Sequence, residues 1–276
     1  MTANDIRTAA AVLRKDLIVF RRYPTWIVSL LIWPALFPAM YVFMARTLSG
    51  PGGQAVAAFQ SVSGTDDYIG FLLFGIIPWM ILNTTLWDFG THLRTEQVRG
   101  TLEATWTTPA SRLSMLIGAS IRQLVISLLF LTITLFMACL LYGFELRGDP
   151  LTLLGLLSLS LLPIIGLGML FASLILWMKE TSSLVVIVRG IFMAFAGMTY
   201  PIEVLPARMQ ILSKALPLTH AIRAMRLVGL IGVGWNDVKY EVMMLAILSV
   251  VFIAMGLMAF RLAERHGQST GTLGHY

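Results

Sequence analysis

Residues 94–112 read Arg94-Thr-Glu-Gln-Val-Arg-Gly-Thr-Leu-Glu-Ala-Thr-Trp-Thr-Thr-Pro-Ala-Ser-Arg112. This is a charged, hydrogen-bond-rich island between two long apolar segments. Its large apolar side chains ahead of Pro109 are Val98, Leu102 and Trp106, and their i, i+4, i+8 spacing sets them on one helical face. Glu96, Arg99 and Glu103 fall on other faces. Proline lacks an N–H and disfavours helical geometry in the residue before it, so Pro109 ends the helix. The spacing predicts a short amphipathic helix and a turn, held outside a membrane between two spans. An apolar stripe so placed needs a cover, either the headgroup region or another protein.

Moving outward, 57% of the 276 residues are hydrophobic, 12% are charged, and the mean hydropathy is +0.81. These values lie far from soluble averages. The apolar residues come in blocks long enough to cross about 30 Å of hydrocarbon. The expectation is an all-α integral membrane protein, a single domain over residues 1–276 with six transmembrane helices. The spans fall at about 25–45, 68–90, 120–143, 151–178, 184–199 and 241–260. Pro34 and Pro38 interrupt the first, and Pro163 offers a bend in the fourth between Gly155 and Gly166. Ahead of them, residues 4–23 place Leu13, Leu17 and Phe20 among Arg7, Arg14, Lys15, Arg21 and Arg22, the pattern of an interfacial helix facing anionic headgroups. Its apolar core comes too late for a cleavable signal peptide.

Six spans put both termini on one side. That side carries twelve Lys and Arg against seven on the other, so the positive-inside rule makes both termini cytoplasmic. Most of the seven lie in the long 200–240 loop, where the rule is weak. The net charge of +6 flanks the spans and forms no single basic patch, which argues against nucleic acid.

Glu96-x-x-x-Gly100-Thr101-Leu102-Glu103, followed by Thr108-Pro109, Arg112 and Gly118, resembles the cytoplasmic loop of the type-2 ABC exporter permease family. The chain departs from that family at Thr105 and Trp106, where two aliphatic residues are usual. A second stretch is similar too: Gly197-Met-Thr-Tyr200-Pro201-Ile202-Glu203-Val204-Leu205-Pro206, then Leu212-Ser213, Leu216-Pro217-Leu218-Thr219-His220 and Arg223. The resemblance implies that the 91–113 loop is a coupling helix that docks on an ATPase subunit. Glu96, Val98, Gly100, Thr101, Leu102, Glu103, Trp106 and Pro109 would then make the contact and the turn. It also implies an external helical elbow over 200–228, carrying Tyr200, Pro201, Glu203, Pro206, Pro217 and His220. Independently, Pro201, Pro206 and Pro217 cut that loop into pieces too short to span, and Met209, Leu212 and Leu216 form a stripe that should pack on the other spans.

The partners implied are two ATP-binding ABC ATPase chains, a second copy or paralogue of the permease, and membrane lipids. ATP and Mg would bind on the ATPase, with no cofactor or metal on this chain. The implied setting is a prokaryotic plasma (inner) membrane, and the implied activity is export of an amphipathic or hydrophobic substrate (drug, antibiotic or lipid). A polysaccharide or lipid-linked glycan exporter is the alternative within the same fold.

Residues for chemistry of its own are missing from the chain. It has no Gly-x-x-x-x-Gly-Lys-Ser/Thr phosphate loop, no nucleophile elbow, and no metal spacing among His92, His220, His266 and His275. It is therefore not an enzyme by itself. Cys139, the single cysteine, reads as a small buried residue. Trp33, Trp79, Trp87 and Trp177 read as packing or interfacial anchors. Arg122 can snorkel to the cytoplasmic edge. Asp88 and Arg189 are the intramembrane charges, each requiring a protein interface or an aqueous cavity. For Arg189 the translocation path and helix packing both stay open. For Glu203 and His220 a structural hydrogen bond competes with a cap or ligand role. A membrane assembly factor without an ATPase would need convergent catalytic groups, and a secondary transporter would need paired intramembrane acids. Neither pattern is present.

Overall fold

The computed structural model describes residues 3–48, 59–60, 63–65, 67–98, 112–178 and 182–270. All regular structure among them is helical: α1 (Ala3–Arg22), α2 (Pro24–Leu48), α3 (Tyr68–Val98), α4 (Arg112–Tyr142), α5 (Pro150–Met178), α6 (Ser182–Phe195), a 3₁₀ turn (Ile202–Val204), α7 (Ala207–Ala215), α8 (Pro217–Arg226), a π turn (Leu227–Ile231) and α9 (Lys239–Thr270). Five helices are long and apolar enough to cross a membrane, over Pro24–Met44, Tyr68–Phe89, Gly118–Tyr142, Pro150–Leu174 and Lys239–Ala263.

Short polar signals set the starts of two of them. The Asp67 carboxylate accepts from the Gly70 N–H at 2.8 Å at the head of α3. Asp149 accepts from the Thr152 N–H at 2.8 Å and its hydroxyl at 2.7 Å at the head of α5. Those bonds, the hydroxyl first, hold the Asp149 carboxyl below its ordinary pKa.

The prolines do not interrupt the spans as expected. α2 runs through Pro34 and Pro38, and α5 through Pro163. Membrane helices tolerate this where neighbours satisfy the disturbed backbone, and the Tyr142 hydroxyl donates to the Ala35 carbonyl at 2.9 Å in the affected turn of α2. The segment expected as a fifth span, 184–199, is the 14-residue α6, about 21 Å long at 1.5 Å per residue. It ends at a turn where Gly197 has φ +74°, and a Cβ there would stand 2.7 Å from Ile202.

α3 is the centre of the bundle. Leu72, Leu73, Phe74, Ile76, Ile77, Ile81, Leu82 and Leu86 cover its whole circumference and are all buried, because α2, α4, α5, α6 and α8 surround it. α2, α4 and α9 turn broad apolar faces outward, among them Trp33, Phe136, Leu140, Val250 and Met258. Cys139 is exposed on that face of α4. The expectation of a buried cysteine fails because α4 is covered on one side only.

The most extensive helix pair is α5 with α9. It closes at two glycines: a Cβ on Gly166 would sit 2.5 Å from the Ile253 nitrogen, and one on Gly256 would sit 2.5 Å from the Gly166 carbonyl oxygen. Small residues let backbones approach where lipid offers no hydrophobic drive between helices. Gly166→Leu is therefore expected to destabilise the fold by about 1–3 kcal/mol, the usual cost of overpacking. Gly190→Ala, with nothing within 4 Å of its added Cβ, should be neutral. Thermal unfolding in detergent compares the two.

Candidate functional site

At one end of the bundle α3 and α4 run past their apolar windows, α3 from Phe89 to Val98 and α4 from Arg112 to Gly118. Glu96 and Val98 belong to the last turn of α3. Gly100, Thr101, Leu102, Glu103, Trp106 and Pro109 lie outside the described residues.

One turn inside that end, the Arg122 guanidinium pairs with the Asp88 carboxylate. Arg122 was expected to snorkel. Pairing wins because the opposite charge stands on the adjacent helix. Next to Arg122 on α4, the Gln123 amide donates to the Thr85 hydroxyl at 3.0 Å and to the Ser127 hydroxyl at 3.4 Å, and all three residues are buried.

Further into the bundle, Arg189 on α6 donates to the Asn83 Oδ1 at 3.2 Å and lies 5.8 Å from the centroid of the Trp79 ring. Phe37 of α2 stacks on Trp79 at 5.4 Å, with the ring planes 10° apart. Trp79 is buried and its indole N–H has no hydrogen-bond partner. Thr84 beside this group is exposed. The structure thus gathers a cation, an amide and two aromatic rings between α2, α3 and α6.

At the opposite end the chain breaks where its prolines stand. Pro201 precedes the 3₁₀ turn, Pro206 precedes α7, and Pro217 opens α8. The Tyr200 hydroxyl donates to the Ala194 carbonyl. Glu203 accepts through its main-chain oxygen from the Gln210 amide at 3.3 Å. The stripe expected to pack does not: Met209 and Leu212 are exposed and Leu216 alone is buried. The buried piece is α8, with Leu218, Ala221, Ile222, Ala224 and Met225 wedged among α3, α5 and α9.

α8 carries His220, which makes structural hydrogen bonds, together with Arg223 and Arg226. His220 donates from Nε2 to the Lys214 carbonyl at 2.9 Å and from Nδ1 to the buried Glu241 carboxylate on α9. With the Glu241 carboxylate ionised, both ring nitrogens donate and the ring is an imidazolium. Burial opposes that charge, but the bonds to Glu241 and to the Lys214 carbonyl outweigh it, and the pKa rises above the usual 6.5. Arg223 lies 3.3 Å from the second Glu241 oxygen. Arg226 donates to the Phe71 carbonyl at 3.1 Å and the Met198 carbonyl at 2.7 Å, and its guanidinium lies 3.3 Å from the centre of the Phe71 ring. Gly75 makes room for that turn, since a Cβ there would fall 1.9 Å from the Met198 oxygen. Burial lowers the Arg226 pKa to about 9. That value lies above neutral pH, so the group stays cationic there.

The inner pairs had a readable signal. In an antiparallel hairpin, residues equidistant from the loop face each other. Positions 88 and 122, and 85 and 123, flank the 99–111 connection almost symmetrically. The outer pairs had no such signal, because His220 and Glu241 are separated by an irregular segment.

Among the described residues, no group of three or more His, Cys, Asp or Glu is arranged to hold a metal. The profile of the ABC-2 type transporter family matches residues 9–230. The daunorubicin resistance ABC transporter permease protein DrrB1 of Streptomyces coeruleorubidus is 24% identical over 269 residues, covering 96% of this chain and 89% of that protein.

Proposed function

The chain belongs to the ABC-2 type transporter family and is a membrane permease subunit of an ABC exporter, and from that premise we propose that it moves a drug-like amphipathic or hydrophobic molecule out of the cytoplasm or the inner leaflet. The family match along most of the chain carries the reading, and the relative's part in daunorubicin resistance supports the substrate class. Two ATPase chains would serve two permease copies in a prokaryotic plasma membrane, with ATP and Mg on the ATPase.

In this reading α6 makes a sixth, short crossing, and both termini and the 91–113 loop are cytoplasmic. Glu96, Val98, Gly100, Thr101, Leu102, Glu103, Trp106 and Pro109 form the coupling element. The 200–228 segment is the external elbow, with α8 as its wedge. Arg189, Asn83 and Trp79 border the path between copies. Arg189 and Asn83 are half-buried, and a charge held within a membrane needs an interface or water.

Two experiments test this. An ATP-binding chain should co-purify with the protein from its native membrane. In a Cys139→Ala background, an impermeant thiol reagent applied to intact cells should label Ser61→Cys and leave Ala104→Cys unlabelled. Labelling at position 104 from outside would overturn the arrangement.

A further inference from the structure

We infer that the Asp88–Arg122 ion pair and the Thr85–Gln123 hydrogen bond join α3 and α4 into one rigid lever that carries force from the 99–111 connection into the centre of the bundle. The inference rests on the reading above, in which that connection meets the ATPase.

The geometry places the pair where a lever needs its brace. Asp88 lies ten residues before Val98 and Arg122 ten residues after Arg112, so each helix extends about 15 Å from the pair toward the connection. The two arms have equal length, and a push on their tip is shared between them if they cannot slip. Beyond the brace α3 is enclosed by five helices, whereas α4 turns much of its surface outward. A displacement that reaches α3 therefore reaches the whole bundle. One that slides α4 along α3 does not reach that centre.

The chemistry explains why the contact is polar. The side chains of Arg122 and Asp88 are 13% and 29% exposed, and Gln123, Thr85 and Ser127 are buried. Apolar side chains of similar volume would hold two helices together at no desolvation cost, so stability alone does not call for an ion pair here. Dispersion contacts are individually weak and non-directional. A hydrogen bond weakens steeply with angle and is gone by about 3.6 Å. On α4 the two donors are neighbours and on α3 their acceptors stand three residues apart, and together they set the register of α3 on α4. Asp88, Arg122, Thr85 and Gln123 are thus positioning residues for transport and touch no substrate.

The test compares permease–ATPase complexes in proteoliposomes, all in a Cys139→Ala background. The first variant is neutral and nearly isosteric (Asp88→Asn with Arg122→Gln). The second exchanges the charges (Asp88→Arg with Arg122→Asp). The third adds Thr85→Cys and Gln123→Cys to the neutral pair for oxidative cross-linking. Readouts are ATPase co-purification, ATP hydrolysis, the ATP-dependent change in labelling of Val204→Cys on the far side, and export of daunorubicin as probe per ATP hydrolysed.

The neutral pair should keep assembly and hydrolysis. Its labelling response and its export per ATP should fall about tenfold, within the usual range of coupling between sites. Charge exchange or the cross-link should restore them, which a merely structural loss would not allow. Undiminished coupling in the neutral pair would overturn the lever and leave the exporter reading intact. So would loss of coupling when the cross-link is formed with Asp88 and Arg122 in place, because α3 and α4 would then have to slide. A wild-type complex with no ATPase and no ATP-dependent labelling change would instead refute the reading on which the inference rests.

Discussion

Trp106→Ala is expected to weaken association with the ATPase about 30-fold, because a buried aromatic anchor at an interface contributes about 2 kcal/mol or more. On the predicted amphipathic helix Trp106 ends the Val98, Leu102, Trp106 stripe, and no other aromatic lies between residues 90 and 129 to replace it. Glu103→Arg acts differently. On the proposed coupling role it would set a cation where a carboxylate meets the partner, so hydrolysis should continue while transport stops. Neither change touches a span, so membrane insertion should match wild type. Co-purification of the ATPase and substrate-stimulated hydrolysis read the two effects separately. Full assembly and coupled transport in both variants would reduce the loop to a solvated connector.

The second large effect is expected at the other end, where His220 and Glu241 tie α8 to α9. His220→Leu leaves the buried Glu241 carboxylate with Arg223 alone, and stripping one partner from a buried pair costs about 3–5 kcal/mol. Glu241→Gln should cost less. Without the carboxylate, burial favours the neutral imidazole, and an imperfectly satisfied buried group should cost about 1–3 kcal/mol.

The pair also sets a pH dependence. The folded-state pKa of His220 is raised above 6.5, so the folded protein holds this proton more tightly than the unfolded chain does. The resulting stabilisation is fully present below pH 6.5 and is lost as pH rises through the folded value. Thermal unfolding in detergent should therefore show wild-type stability declining on the alkaline side of 6.5, with a flatter profile for Glu241→Gln. Parallel profiles would mean that His220 is neutral in the fold and that its contact with Glu241 does not depend on charge.

Five of the helices were legible in the sequence because a membrane makes hydropathy nearly sufficient. In hydrocarbon every backbone N–H and C=O must be satisfied within the segment, so a run of about 20 apolar residues has no structure open to it but a helix. The proline breaks at Pro201, Pro206 and Pro217 act through their own immediate neighbours, so they too could be read locally, whereas the caps at Asp67 and Asp149 appeared only in the structure. Family membership was legible for a different reason: an ordered series of unlike residues over 96–118 is specific, whereas one apolar run resembles many others.

Tertiary structure decided which faces met. α7 carries Met209, Ile211 and Leu212 and is exposed, while α8 carries Thr219, His220, Arg223 and Arg226 and is largely buried. Local hydrophobicity points the wrong way there, because burial followed the space open between α3, α5 and α9 and the presence of Glu241, Phe71 and Met198 to receive the charges. Cys139 and Arg122 diverged from expectation for the same reason. Each lies in an apolar run, and its surroundings are set by the side of α4 on which it stands. Hydropathy is a property of a segment and determines whether it crosses. Pairing depends on register and rotation between segments far apart in the chain, which for α5 and α9 came down to two glycines at a single crossing.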